Sequence, residues 1–308
     1  MPKLYKYLAP SLVDRVFAAP ESVSFKCSQP AQFNDPYELF LTIDFKQSAG
    51  MLAYYADVIG AIPQLPTTCF SPSPGNIPMW AHYAENHEGL VVELEEESVT
   101  NHNSGIQIGS VEYRDAPRDE LDGLLERAFT LGKPRYIYML QNSVFGAAYF
   151  TKATCWSYES ERRLIAPEDS TRRTGDIVLL DLPRTCVTAL ICGARCSADV
   201  KDKLRQLSQS IGCVWLETQI GRSSAKPYFL DDSDKSFVAA GAGLEPAASS
   251  CDRCREPIAQ PSTRCSWCQI GPEHRADAAT RNTFRLLDSY DLLEDYIAGM
   301  QKIDRKAK

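Results

Sequence analysis

MWAHYAENHEGLVVEL, residues 79–94, reads as a short helix that stops at a glycine and turns at once into a strand. Asn76 stands where a helix cap accepts an otherwise free amide, Pro78 suits a first turn that has no use for its N–H, and Gly89 suits the stop. The run behind it, GLVVEL at 89–94, has the β-branched content of a buried strand. The helix carries Trp80, His82, Tyr83 and His87. Five residues separate the two histidines, which puts them about 140° apart on a helix, so they cannot share one ligand. Trp80, Ala84 and His87 share a packing face, which leaves His82 and Tyr83 as the freer polar groups.

Working outward, β-type runs dominate residues 1–237: LYKYL near the start, SVSFKC at 22–27, PTTCFS at 66–71, GSVEYR at 109–114, RRLIA at 162–166, DIVLLDL at 176–182 and VTALICG at 187–193. Helical patterns interrupt them at 49–61, 118–131, 135–150 and 198–211, the last ending at Gly212. Strands and helices in this mixture define an α+β domain with a mixed or antiparallel sheet. The small-residue stretch VAAGAGLEPAASS, 238–250, reads as a linker. A cysteine-rich segment at 251–272 and an amphipathic helix over 275–304 complete the expected order.

The 308 residues are 44% hydrophobic, enough to bury a core, and a formal net charge of −7 argues against coating nucleic acid by bulk electrostatics. The opening MPKLYKYLAP lacks an apolar targeting core, and no run reaches the ~18 apolar residues of a membrane span, so the expectation is a cytoplasmic protein without membrane contact. Of eleven cysteines, seven are scattered among apolar neighbours, as reduced thiols packed like small hydrophobes would be.

The other four form two pairs, CDRC at 251–254 and CSWC at 265–268. A two-residue spacing lets one tight turn aim two thiolates at one ion, and two such turns supply a tetrahedral set. Cys251, Cys254, Cys265 and Cys268 are therefore read as ligands of one structural zinc, against the alternatives of two disulfides or four free thiols. Metal would supply most of the folding energy of so short a loop. Arg253, Arg255, Arg264, Arg275 and Trp267 offer a nucleic-acid contact, set against a plain protein-contact module. The terminal stripe Leu286, Tyr290, Leu293, Ile297 and Met300 suits packing on the main body or a homodimer.

WSYESERRLI at 156–165, read as a strand, places Glu159, Glu161 and Arg163 on one face. Paired carboxylates serve chemistry at an anomeric carbon, one steadying a cationic transition state while the other handles the nucleophile. The competing reading is a solvated strand face. FNDPYE at 33–38 carries a turn signal, and no phosphate loop, dinucleotide glycine fingerprint or nucleophile elbow is present.

Taken together, LYKY (4–7), FNDPYE (33–38), CFS (69–71), MWAHYAENHEGLVVEL (79–94) and WSYESERRLI (156–165) resemble the bacterial domain-of-unknown-function family numbered 2971, over about residues 1–235. The layout is also similar to the ADP-ribosyltransferase-like fold, with its split sheet, and to abortive-infection proteins of phage defence. That resemblance implies NAD as substrate and a protein, nucleic-acid or small-molecule acceptor. It implies Lys6 or Tyr5 in the first-strand role, Ser71 in the second, Glu161 as the carboxylate that steadies the oxocarbenium ion, and Glu159 as the residue that engages the acceptor. The nucleotide-contacting candidates are then Tyr5, Lys6, Tyr7, Asn34, Asp35, Ser71, Trp80, His82 and Tyr83. A non-catalytic nucleotide-, nucleic-acid- or protein-binding scaffold is the alternative.

Overall fold

The computed structural model describes residues 2–306 apart from 30–31, 34, 36–41, 61, 63, 242 and 260–261. It divides into two compact units, Met1–Ala247 and Ala248–Lys308. In chain order the first unit runs β1 (Lys3–Leu8), α1 (Val13–Val16), β2 (Ser22–Cys27), α2 (Ala49–Gly60), β3 (Thr67–Phe70), α3 (Ile77–Tyr83), β4 (Leu90–Glu95), α4 (Glu96–His102), β5 (Gln107–Ser110), β6 (Glu112–Tyr113), α5 (Asp119–Leu131), α6 (Pro134–Phe150), β7 (Thr151–Lys152), β8 (Arg162–Ile165), β9 (Thr171–Thr174), β10 (Ile177–Pro183), β11 (Val187–Cys192), α7 (Ala198–Ile211), β12 (Val214–Gln219), β13 (Tyr228–Leu230), β14 (Ser236–Ala240) and β15 (Gly243–Pro246).

Seven strands form a curled sheet in the order β1-β4-β11-β12-β13-β14-β15. Only β11 and β12 pair in parallel, and α7 makes the crossover such a pair requires. Ser197 caps α7 by accepting from the Val200 amide, and left-handed Gly212 ends it. Smaller sheets, β2-β10-β9 and β3-β8-β5, stand beside the large one, with β6 and β7 as a short parallel pair. Isolated bridges Tyr5↔Ser71 and Ser28↔Thr67 stitch the ends of β3 to β1 and to β2. The three strands thus converge, and the candidate site lies at that convergence.

Strand β4 is central and buries apolar residues on both faces, which is why its sequence does not alternate. Leu4, Leu90, Val92, Leu94 and Leu190 pack with Phe25 and Leu180 on one side. Tyr5, Tyr7, Val91, Ile191 and Leu216 pack with Trp80 and Phe229 on the other. A third cluster joins α2, α5 and α6 through Tyr55, Val58, Leu125, Leu140 and Val144. The α5–α6 turn is short because left-handed Gly132 closes one helix and Pro134 opens the next.

Several expectations change. Residues 236–246, the front of the expected linker 238–250, pair as the β14–β15 hairpin, because small residues let the chain lie close against its neighbours: a Cβ on Gly75 would stand 2.8 Å from that of Ala239. The strand expected at 109–114 breaks at Val111, β5 pairing with β8 and β6 with β7. The helix expected to run to Gly89 ends at Tyr83, and Glu85, Asn86 and His87 follow in the left-handed region. Residues 154–159 form a 3₁₀ turn instead of strand, closed by left-handed Ser160.

In the second unit, the helix expected over 275–304 is three helices, α8 (Pro272–Arg281), α9 (Thr283–Ser289) and α10 (Leu293–Lys306). Asn282 breaks the first junction, its side chain accepting from the Phe284 amide, a role asparagine fills better than a helix interior. Left-handed Asp291 stands at the second. No described helix is long and apolar enough to cross a membrane.

Candidate functional site

Strand β1 alternates, so Lys6 turns away from the Tyr5 and Tyr7 side and reaches β3, where Nζ donates to Thr68 Oγ1 (2.8 Å) and to the Cys69 carbonyl (2.8 Å). Its ammonium also lies 5.4 Å from the centre of the Phe70 ring. Burial lowers the Lys6 pKa from its ordinary value, with the neighbouring Cys69, Cys27 and Glu161 opposing that shift.

Four ionisable side chains, each no more than 4% exposed, form the centre of the arrangement. Lys152 Nζ donates to Glu159 Oε2 at 2.7 Å and to Glu161 Oε2 at 3.4 Å. Arg163 Nε donates to Glu161 Oε1 at 2.7 Å while its terminal nitrogen holds the Tyr149 carbonyl at 2.8 Å. Tyr83 on α3 donates to Glu159 Oε1, and the Glu161 amide donates to the Tyr113 hydroxyl at 2.7 Å. Each carboxylate oxygen therefore has a protein donor, as burial of ions demands.

Burial alone would raise the Glu161 pKa. The Arg163 guanidinium, Lys152 and the Cys69 thiol outweigh it and hold the carboxyl down at about 2. Burial pushes the Tyr113 hydroxyl up to about 12, the carboxylates adding to the rise and the Glu161 amide opposing it. Glu161 is thus a fixed anion, suited to facing developing positive charge and unsuited to donating a proton near neutrality.

Glu159 and Glu161 do come together, but by a different route from two-residue strand alternation. Left-handed Ser160 reverses the chain between a 3₁₀ turn and β8, and Lys152 gathers both carboxylates. With Lys6, Tyr5, Tyr7 and Tyr83 they line a cavity of about 270 Å³. The Tyr5 hydroxyl belongs to the other side, near Glu93, and the Tyr7 hydroxyl donates to the Ser73 carbonyl at 2.8 Å.

Other candidates fall outside this lining. Ser71 is 1% exposed and its amide and carbonyl pair with Tyr5, the backbone bridge fixing it inside the fold. Trp80 is a core residue, donating to the Pro74 carbonyl at 2.7 Å, set edge-on to Tyr7 and stacked with His87. His82 is exposed, its ring 5.9 Å from that of Tyr158. Asp35 is buried without lining the cavity, and Asn34 lies outside the described residues. Lys152, Lys26 and Phe33 join the lining without having been singled out in the sequence. Lys152 sits seven and nine residues before its partners, and the chain between them passes from β7 through a 3₁₀ turn and left-handed Ser160, so no single helix or strand period relates them.

The second unit holds Cys251, Cys254, Cys265 and Cys268 with their sulfurs all within 4.8 Å of one another. Cys254 and Cys265 Sγ stand 3.7 Å apart, and sulfurs on a tetrahedral ion at ~2.3 Å would be ~3.8 Å apart. The Arg255 amide closes the first turn onto the Cys251 carbonyl at 2.9 Å, with Arg255 itself left-handed. The Cys268 amide donates to Cys265 Sγ at 3.4 Å. Four such thiols could hold a metal ion such as zinc, and a set of four leaves no coordination position for substrate.

Fold and sites together define a mixed α+β protein with a buried carboxylate pair on a cavity and a four-cysteine cluster. Residues 79–164 match the family model described as "Protein of unknown function (DUF2971)". That span contains Tyr83, Lys152, Glu159, Glu161 and Arg163, and excludes Lys6 and the four cysteines. No curated protein matches the chain, and no solved structure does.

Proposed function

We propose that the chain is an NAD-consuming enzyme, an ADP-ribosyltransferase or NAD glycohydrolase, acting as a bacterial toxin or phage-defence effector. One observation carries this reading: Glu161, held as a carboxylate, lines a cavity that also presents Lys6 and aromatic walls. In the reaction the bond from the ribose anomeric carbon to the nicotinamide nitrogen breaks, its electron pair leaves with nicotinamide, and the sugar becomes an oxocarbenium ion. Glu161 steadies that cation. An acceptor oxygen or nitrogen then bonds to the same carbon and gives up its proton to the Glu159 carboxylate. The cavity, about 270 Å³, lies near the ~300 Å³ lower limit of small-molecule sites and suits the nicotinamide–ribose half better than a whole dinucleotide. Lys6 would meet an anionic oxygen of the remainder.

The alternative, a non-catalytic nucleotide-binding scaffold, draws on the full engagement of both carboxylates by Lys152, Arg163 and Tyr83. Incubation with labelled NAD separates the two. Release of nicotinamide by the native protein, abolished in Glu161→Gln and reduced in Lys6→Met, with both variants folded by circular dichroism, is the expected result. Binding without turnover, or equal turnover by folded Glu161→Gln, overturns the enzymatic reading. The four-cysteine cluster we read as a structural zinc site, outside this chemistry. If Arg253, Arg255 and Arg264 contact nucleic acid, their replacement will weaken a salt-sensitive complex.

A further inference from the structure

The Glu161 cavity is lined by more positive charge than its carboxylates balance. Lys152 and Arg163 bring two cations to the two anions Glu159 and Glu161. Two further cations of the lining have no carboxylate at ion-pair distance among the described residues. Lys6 is held only by neutral groups, the Thr68 hydroxyl, the Cys69 carbonyl and the Phe70 ring, and the two hydrogen bonds leave one of its three N–H groups over. Lys26, on β2, is exposed and so stands where the cavity meets solvent, and it makes neither an ion pair nor a hydrogen bond among the described residues. In a chain of net charge −7, such an excess is local and specific.

Neutral donors of the same lining point to the same kind of ligand. Ser28, two residues beyond Lys26 and on the same side of the chain, has a hydroxyl with no hydrogen bond among the described residues. Gln32 accepts from the Gln29 amide through Oε1 at 3.2 Å, which leaves its side-chain N–H groups as donors. Strand β3 joins these groups to Lys6: Thr67 bridges Ser28, and the next residue, Thr68, accepts from the Lys6 ammonium. Lys6, Lys26, Ser28 and Gln32 together offer more donors than the two oxygens of a carboxylate can accept, and suit the several anionic oxygens of a phosphate or diphosphate. An anion beside Lys6 would also offset the cost of burying its charge.

We propose that Lys6, Lys26, Ser28 and Gln32 form a phosphate subsite at the open side of the Glu161 cavity, and that Lys26 selects a phosphorylated nucleoside over an unphosphorylated one. The subsite names the substrate class of the reaction proposed above and rests on that reading for the sugar end of the ligand. Phosphate binding itself requires no turnover. Lys26 is a specificity residue, acting on affinity and remote from the bond that breaks.

Inorganic pyrophosphate is the probe, titrated by calorimetry into the full-length protein without added magnesium. The native protein should bind it. Lys26→Met should weaken binding by about tenfold or more, as loss of one charged hydrogen bond does, and Lys26→Arg should retain it. Lys133→Met, which removes an exposed lysine outside the lining, should bind as the native protein does. With NAD, Lys26→Met should raise KM and leave kcat nearly unchanged. Pyrophosphate binding that depends on Lys26, in a protein that releases no nicotinamide, supports the subsite and removes the NAD reading. Nicotinamide release with the same KM in native protein and Lys26→Met keeps the NAD reading and overturns the subsite. No pyrophosphate binding to the native protein, or equal weakening in Lys133→Met, overturns it as well.

Discussion

Arg163, 1% exposed, is among the largest fully buried side chains of the protein, and its guanidinium lies 4.9 Å from the centre of the Phe33 ring. Removing one partner of such a pair leaves a charge in the interior without compensation, so Arg163→Met should cost about 3–5 kcal/mol in denaturant unfolding. Adding Glu161→Gln should recover part of that loss, and the double-mutant cycle measures the coupling. The pH dependence follows from Glu161. Its folded pKa of about 2 lies below the ordinary 4.5, so it contributes stability that is complete above pH ~4.5 and lost as pH falls through about 2. The shift corresponds to roughly 3 kcal/mol. The stability gap between native protein and Glu161→Gln should hold steady above pH ~5 and narrow towards pH 2; a gap unchanged down to pH 2 would show that Glu161 is not ion-paired. At this scale the sequence pointed to the two carboxylates that Lys152 gathers. It did not show Lys152, whose placement depends on where α6 ends and β7 begins.

Elements were legible where one physical pattern ruled a whole segment. The caps of α7 and the turn residues between α5 and α6 stand openly in the sequence, and β1, β2, β3, β4, β8, β10 and β11 follow the β-type runs read there. Where one residue reverses the chain the pattern misleads. SYESE continues a plausible alternation straight through Ser160, and the helix pattern of 77–88 continues through Glu85, Asn86 and His87, which the structure turns left-handed. The close packing of the 84–89 turn explains that reversal. A Cβ on Gly193 would lie 2.1 Å from the His87 carbonyl oxygen, and one on Gly89 equally close to that of Leu8. Gly193→Ala should therefore destabilise by about 1–3 kcal/mol. Gly123→Ala, inside α5 with nothing within 4 Å of the new carbon, should stabilise by about 0.5–1 kcal/mol. Thermal unfolding of the two variants checks both signs.

For the whole molecule, the division at 247/248 separates two kinds of stability. The first unit has three apolar clusters. In the second, α8 and α9 bury no residue, and Leu286, Tyr290 and Met300 of the expected stripe are all exposed by 43% or more. A unit so poor in buried apolar surface should depend for its stability on metal bound at its cysteine cluster. Chelation or a thiol-blocking mercurial should raise amide exchange across 251–272 while β4 and β11 keep their protection; equal exchange with and without metal would remove the metal from the folding of that segment. The four-cysteine cluster was legible because spacing alone specifies it. The cavity was not, because its walls come from β1, β2, β3, α3 and β7, brought together only by tertiary bridges.

Lys152 Nζ, besides holding both carboxylates, lies 4.7 Å from the centre of the Trp156 ring. An indole's emission shifts with the electric field across it, so this tryptophan is a built-in optical gauge of the cation's position. Replacing Trp80, Trp215 and Trp267 by phenylalanine would isolate its signal. Any ligand that draws Lys152 towards the cavity should then change emission wavelength on binding, before any product is made, and the rate of that change would time the site's first response.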